Sequence, residues 1–320
     1  MTTCQSATQV WHRLRGHQWT ALQKAAVIVG LATAMGCLFL LTYSEALADP
    51  VPRHIDAAIV GESATQGPTV DAVEHVAEGK VVFRSYASTQ AALEAIDDQQ
   101  VYATLDLTGP RPMLYVASAA GASVARLFEE TSTIDPPVQV VDRHPLAPND
   151  PNGLDVFYTM FVTTIVGFIT VFQIRANAPG LMLRHHVAAV LALAVAVSFG
   201  LTLVGGVLLH GYSTADPEAW GILALQLVAV TSFTSLMAVV IGRWAIIPTW
   251  IFFSILGNSA SGGAVAPPLL PAPFAFISQW LPSGATVNAL RNAVYFHDHQ
   301  HVRRSPYWRL GRQSSSHPGS

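Results

Sequence analysis

Residues 25–43 read AAVIVGLATAMGCLFLLTY, nineteen residues without a charge. At ~1.5 Å rise per residue, such a helix nearly covers the ~30 Å hydrocarbon core of a bilayer. The stretch exceeds the ~7–15-residue apolar region of a cleavable signal peptide, although SEALADP directly after it offers small residues near a cleavage site. We read it as an uncleaved anchor, transmembrane helix 1 at 25–43. Arg13, Arg15 and Lys24 precede it with no acid among them, which makes residues 1–24 a cytoplasmic head.

Working outward, the whole chain carries the same signature. Of its 320 residues, 51% are hydrophobic and 12% charged, about half the usual charged share of a globular domain. The mean hydropathy is +0.38. This composition excludes a disordered chain, a collagen-like chain and an ordinary cytosolic enzyme. The net charge of −3 conceals a segregation. Residues 1–44 carry +3; residues 45–155 hold 17 acids against six bases, or −11; residues 156–320 hold eight bases against three acids, or +5. A basic nucleic-acid-binding surface finds no support in that layout. Cys4 and Cys37 lie before and inside the first apolar stretch and form no disulfide framework.

Three further apolar stretches run from about 156 to 174, 187 to 209 and 220 to 241. The loop between the first two of these, RANAPGLMLRHH, has Arg175 and Arg184 and no acid, so it belongs on the cytoplasmic side. HGYSTADPEAW carries Asp216 and Glu218 and suits the opposite side, and Arg243 returns the chain inside. Small residues recur every fourth position at Thr159, Thr163 and Gly167 and at Ala188, Ala192, Ala196 and Gly200. Both stripes predict intramolecular packing seams between helices. Gln226 is a polar group at membrane depth that either lines a path or, the reading preferred for it and for Asn258 alike, hydrogen-bonds a neighbouring helix. A fifth apolar stretch, WAIIPTWIFFSIL, is only about thirteen residues, ~20 Å of helix. With it, residues 154–256 hold helices 2–5.

Residues 44–153 alternate strand-like and helix-like runs and predict a small α/β domain inserted after the first helix. IDAAIVG, KVVFRSYA, VYATLDLT, PMLYVAS and PPVQVVDR read as strands. PTVDAVEHVAEG, STQAALEAIDD and GASVARLFEETS read as helices, the first with Pro near its start and the second capped by Ser88. The charge pattern places this domain outside the cytoplasm. It has no G-x-S-x-G elbow and no Cys/His metal spacing, and the adjacent acids Asp97-Asp98 and Glu129-Glu130 read as solvated helix ends. No enzyme activity, cofactor or metal is expected.

The fold class expected is therefore a mainly α-helical polytopic membrane protein with a small extracytoplasmic α/β domain, in a bacterial-type plasma membrane. The lipid bilayer is its first partner. After the fifth stretch comes GNSASGGAVAPPLLPAPFAFISQWLPSGA, which breaks an apolar run with Gly, Ser and Pro. Irregular backbone at membrane depth has to be packed by protein or face a wet cavity. Residues 257–296 thus predict a re-entrant or outer-interface hairpin, with Gly257, Asn258, Ser259, Gly262, Gly263, Pro282, Gly284 and Arg291 as its candidate functional residues. Asn258 either lines a path or bonds a neighbouring helix, and Arg291 either anchors a helix end at headgroups or contacts substrate. Residues 297–320 form a polar basic tail. His297, His299 and His301 alternate in it and could share a strand face toward a metal, but no frame fixes them, so an exposed tail is the reading adopted.

One span, an α/β insert and then spans ending in a Gly/Pro-rich hairpin resemble the ABC type-2 permease superfamily, in its phage-infection-protein-like branch. The residues carrying the likeness are IDAAIVG, AALEAIDDQQVYATLDL, LYVASAAGASVARLF and, most specifically, GNSASGGAVAPPLLPAPFAFISQWLPSGATVNALRNAVYF at 257–296. The resemblance implies a permease subunit of an exporter. It has no G-x-x-x-x-G-K-[ST], so a separate ATPase subunit is the implied partner, with a homo- or heterodimer as the assembly. Where the family places a last helix, this chain has Arg303, Arg304, Arg309 and Arg312, which are costly in a membrane. Alternative readings are a membrane surface protein, independent of ATP, whose outer domain binds a partner or a phage, and a degenerate permease without activity.

Overall fold

The computed structural model describes residues 20–47, 52–61, 67–76, 79–133, 138–208 and 217–296. The histidines of HDHQH, the arginine-rich tail, Cys4 and the HGYSTAD loop lie outside the described residues. Four helices are long and apolar enough to cross a membrane: Ala25–Leu47, Asp155–Asn177, Leu183–Gly206 and Pro217–Val240. Together with a small α/β sheet they fit a membrane-embedded protein. The chain divides into a unit ending at Thr42, whose described part is the single helix α1 (Ala21–Leu47) up to that point, and a larger unit beginning at Tyr43.

In the larger unit the sheet comes first. Strands β1 (Ile55–Val60), β2 (Val81–Ser85), β3 (Ala103–Asp106), β4 (Met113–Val116) and β5 (Gln139–Asp142) form one sheet in the order β2-β1-β3-β4-β5. Every neighbouring pair is parallel except β3 and β4, which the Gly109-Pro110 turn joins as an antiparallel hairpin. The connecting helices are α2 (Gly67–Val76), α3 (Thr89–Asp97) and α4 (Ala122–Glu129). Ser88 caps α3 as expected, its hydroxyl accepting from the Ala91 N–H.

Both faces of the sheet are covered, which is the usual condition of parallel strands. Ile55, Ala57, Ala103, Leu105 and Leu114 turn to a core shared with Val73 of α2 and Phe128 of α4. Ala58, Val60 and Tyr115 turn to the opposite core, shared with Ala92, Ala95 and Ile96 of α3. Each core also receives residues from far along the chain: Ala266 and Leu269 enter the first and Phe296 the second.

The apolar helices follow: α5 (Asp155–Asn177), α6 (Leu183–Leu203, continued by a π-helical turn, Val204–Leu208) and α7 (Pro217–Val240). Asp150 receives the N–H groups of Leu154 and Asp155 at the start of α5. The seam expected at Thr159, Thr163 and Gly167 is present. All three are buried, and a methyl added at Gly167 would come within 3.0 Å of Val230 on α7. The seam expected on α6 is not. Ala188, Ala192 and Ala196 are exposed, and the buried face carries Val190, Ala194, Ser198 and Thr202. An alanine-rich helix offers several equivalent stripes of small residues. The face that packs here is the one whose hydroxyls fold back onto its own backbone, Ser198 onto Ala194 and Thr202 onto Ser198.

The fifth apolar stretch is helical without interruption from 242 to 259, but its winding changes along the way. A 3₁₀ turn (Gly242–Ala245) leads into one α-helical turn (α8, Ile246–Thr249), a π-helical stretch (Trp250–Leu256) and a last α-helical turn (α9, Gly257–Ser259). Phe252 stacks on Phe233 of α7, Phe253 meets the same ring edge-on, and Trp250 meets Phe168 of α5 edge-on. The remaining elements are a 3₁₀ turn (Pro267–Leu269), a short helix α10 (Ala272–Ser278) and α11 (Pro282–Tyr295).

Candidate functional site

The hairpin at 257–296 is where the two halves of this unit meet. Every residue from Gly257 to Gly263 is buried. The irregularly wound helix ends at Ser259, whose hydroxyl folds back onto the Ile255 carbonyl. Ser261 then donates to the Asn258 carbonyl and accepts from the Gly263 N–H, which closes a tight turn. Gly262 sits at φ +74°, in the left-handed region that glycine adopts at least cost. At Gly263 the constraint is space, since an added Cβ would lie 2.7 Å from the Phe157 ring.

Arg291 locks this turn. Its residue is 8% exposed, and its guanidinium donates from Nη1 to the Gly262 carbonyl at 2.9 Å and from Nη2 to the Gly263 carbonyl at 2.8 Å. The fork geometry of arginine suits two adjacent acceptors, and its charge faces the carbonyl end of that helix, where the helix dipole is negative. Arg291 is thus turned inward onto the turn and buried. Sequence reading selects the residue and misses its task, because its acceptors lie 28 and 29 positions away.

The other candidate residues fall around that lock. Pro282 is the first residue of α11, a position that tolerates its missing N–H. Gly284 packs against the Ser278 carbonyl so closely that any side chain would collide with it. Gly257 faces Ser283, whose Oγ would lie 2.7 Å from a Cβ placed there. Asn258 is 2% exposed, and neither its amide oxygen nor its nitrogen has a protein partner, so it makes no bond to a neighbouring helix. Gln226 does behave as expected. Its amide donates to Thr164 of α5 at 3.1 Å and accepts from Thr286 of α11 at 2.9 Å, tying three helices together.

Beyond the turn, the hairpin grips the sheet domain on both faces. Ser123 of α4 accepts the Ala266 N–H at 3.1 Å, and the Arg53 N–H donates to the Pro268 carbonyl at 3.0 Å. Gly121 lets Ala266 approach, since a Cβ there would be 2.9 Å from the Ala266 methyl. On the other face, Gln99 donates to Asn292, and Phe296 packs its ring 4.5 Å from that of His144. Val287 and Leu290 of the same helix α11 pack with Phe157, Met160 and Leu223 of the apolar bundle. One helix thus belongs to two cores.

Behind the His144–Phe296 contact lies a charge cluster that the sequence reading places in solvent. Asp97 is 4% exposed. It accepts two hydrogen bonds from Arg143, each 2.7 Å, and lies 2.8 Å from the His144 ring. Burial alone would raise the Asp97 carboxyl, but the hydrogen bonds from Arg143 and His144 outweigh it and hold the group below its ordinary value. Glu129 and Glu130 are exposed, as expected. No signal in the sequence separates the two acid pairs, because Arg143 and His144 lie on the far side of β5.

No known protein family, no curated protein and no solved structure matches the chain.

Proposed function

We propose that this chain is the membrane permease subunit of an ABC-type exporter, driven by an ATPase on a separate polypeptide. The sheet domain lies outside the cytoplasm and the hairpin at the outer mouth. The supporting observation is the double attachment of α11, whose first turns pack among the apolar helices and whose end packs under the sheet. A rearrangement of the bundle is thereby coupled to the sheet domain without a flexible linker, as alternating access at an outer gate requires. The resemblance of Gly257 to Phe296 to export permeases points the same way. The orientation follows from the basic head, the acidic middle and the arginines at 175, 184 and 243.

The test is affinity purification of the full chain from its own membrane, followed by reconstitution with whatever ATPase accompanies it. A stoichiometric ATPase whose turnover depends on this chain supports the reading. A chain that purifies alone and leaves ATP hydrolysis unchanged contradicts it, and favours a surface protein that binds its partner without ATP.

A further inference from the structure

We infer that one end of the apolar bundle, formed by the close of α5, the start of α6 and the close of α7, recognises anionic phospholipid headgroups. Two contacts bring these helix ends to one level. Gly167 of α5 packs on Val230 of α7, and each lies ten residues before the last residue of its helix. The His186 ring, one turn into α6, lies 3.0 Å from the Ser235 hydroxyl near the close of α7. Arg175 stands in the last turn of α5, Arg184 in the first turn of α6, and Arg243 in the 3₁₀ turn that follows α7.

Charge at this end is one-sided. All three arginines are exposed, and among the described residues none forms an ion pair with an acid. From residue 156 to residue 296 the one described acid is Glu218, at the start of α7 and so at the opposite end of the bundle. Like charges gathered at one level repel, and an anion laid across them removes that repulsion. A guanidinium fork fits phosphate oxygens two at a time.

The residues around the arginines select a lipid as the source of that anion. Leu181, Met182 and Leu183 beside Arg184, and Ile241, Trp244 and Ile246 beside Arg243, are all exposed. The Arg243 guanidinium lies 5.2 Å from the centre of the Trp244 ring, and tryptophan favours the boundary between hydrocarbon and headgroups. At that boundary acyl chains cover the apolar side chains while the guanidinium groups reach phosphate. A free anion would leave the apolar collar in water. A zwitterionic headgroup brings its own cation to the surface, so a net-negative headgroup is the matching partner. This inference rests only on the chain being embedded in a membrane. It holds whether or not the chain exports anything, so it and the exporter reading fail separately.

The experiment uses purified full-length protein in detergent micelles titrated with phosphatidylglycerol or phosphatidylcholine. The thermal midpoint should rise saturably with phosphatidylglycerol and less with phosphatidylcholine, and high salt should shrink the difference. Each of Arg175→Gln, Arg184→Gln and Arg243→Gln should weaken the apparent phosphatidylglycerol affinity by about fivefold, and the triple variant should lose most of the preference. Glycerol phosphate free in solution should not replace the lipid. Should the triple variant fail to fold, the three single variants decide. Equal responses of wild type to the two lipids overturn the proposal. So does a folded triple variant that keeps the full preference, which would assign it to the basic head at residues 1–24, and so does free glycerol phosphate that acts as well as the lipid.

Discussion

The guanidinium of Arg291 lies 2.8 Å from the carbonyl oxygen of Gly263, 28 residues earlier in the chain. This pair, with its companion bond to Gly262, turns a Gly- and Pro-rich segment into a buried structural element. Backbone carbonyls of an irregular turn in an apolar setting need a donor, and Arg291 supplies one to each of two.

Arg291→Ala should therefore cost roughly 2–4 kcal/mol, because two carbonyls lose their donors inside the protein. Arg291→Lys keeps the charge but not the fork, so it should recover only part of that loss. Thermal unfolding of the purified variants ranks them. Equal midpoints for wild type and Arg291→Ala would show that the turn holds without its lock.

Gly263→Ala places a methyl where the Phe157 ring now lies, 2.7 Å away. Phe157 is itself packed with Met160, Leu223 and Val287 and has little room to yield. Overpacking of this kind costs ~1–3 kcal/mol. The companion change Phe157→Leu should restore part of it, and a double-mutant cycle on unfolding midpoints measures the coupling.

Asp97 predicts a pH dependence of the sheet domain. Its carboxyl is held below the ordinary value of 3.8, so its contribution is complete above that value and disappears as pH falls through the lowered one. Asp97→Asn removes the pairing with Arg143, whose side chain is 36% exposed, so solvent limits the loss to roughly 1–2 kcal/mol. In acid titrations followed by hydrogen exchange of the sheet strands, the variant should be less stable at neutral pH and should converge on wild type as pH falls through the lowered value. A constant difference across the whole range would contradict the role given to Asp97.

The orientation is tested with reporters. A fusion near Asp98 should be active only with a reporter that works outside the cytoplasm, and a fusion near Arg243 only with a cytoplasmic one. Activity of a cytoplasmic reporter at Asp98 would reverse the proposed topology.

Local patterns made much of this fold legible in advance. Period-two and period-3.6 runs located all five strands and the three helices of the sheet domain, and Ser88 was recognisable as a cap because a cap acts within three residues. Long apolar runs located the four long helices. What escaped is non-local. Nothing near Asp97 announces Arg143, 46 positions later. The alanine stripe of α6 was chosen on spacing, whereas the packing face depends on what α7 presents. The hairpin residues stand out in the sequence by their Gly, Pro and polar types, yet their arrangement depends on α11 packing against both the bundle and the sheet.

The central claim is that the hairpin is docked on the sheet domain in the working protein. Ser123 Oγ accepts from the Ala266 N–H at 3.1 Å, which places the two residues within reach of a disulfide. With Cys4 and Cys37 replaced by Ser, mild oxidation of Ser123→Cys/Ala266→Cys in native membranes should form an intramolecular bond, read as reducible protection of both thiols from a maleimide. Two freely labelled thiols that never form a bond would show the hairpin detached from the sheet, and the account would fail.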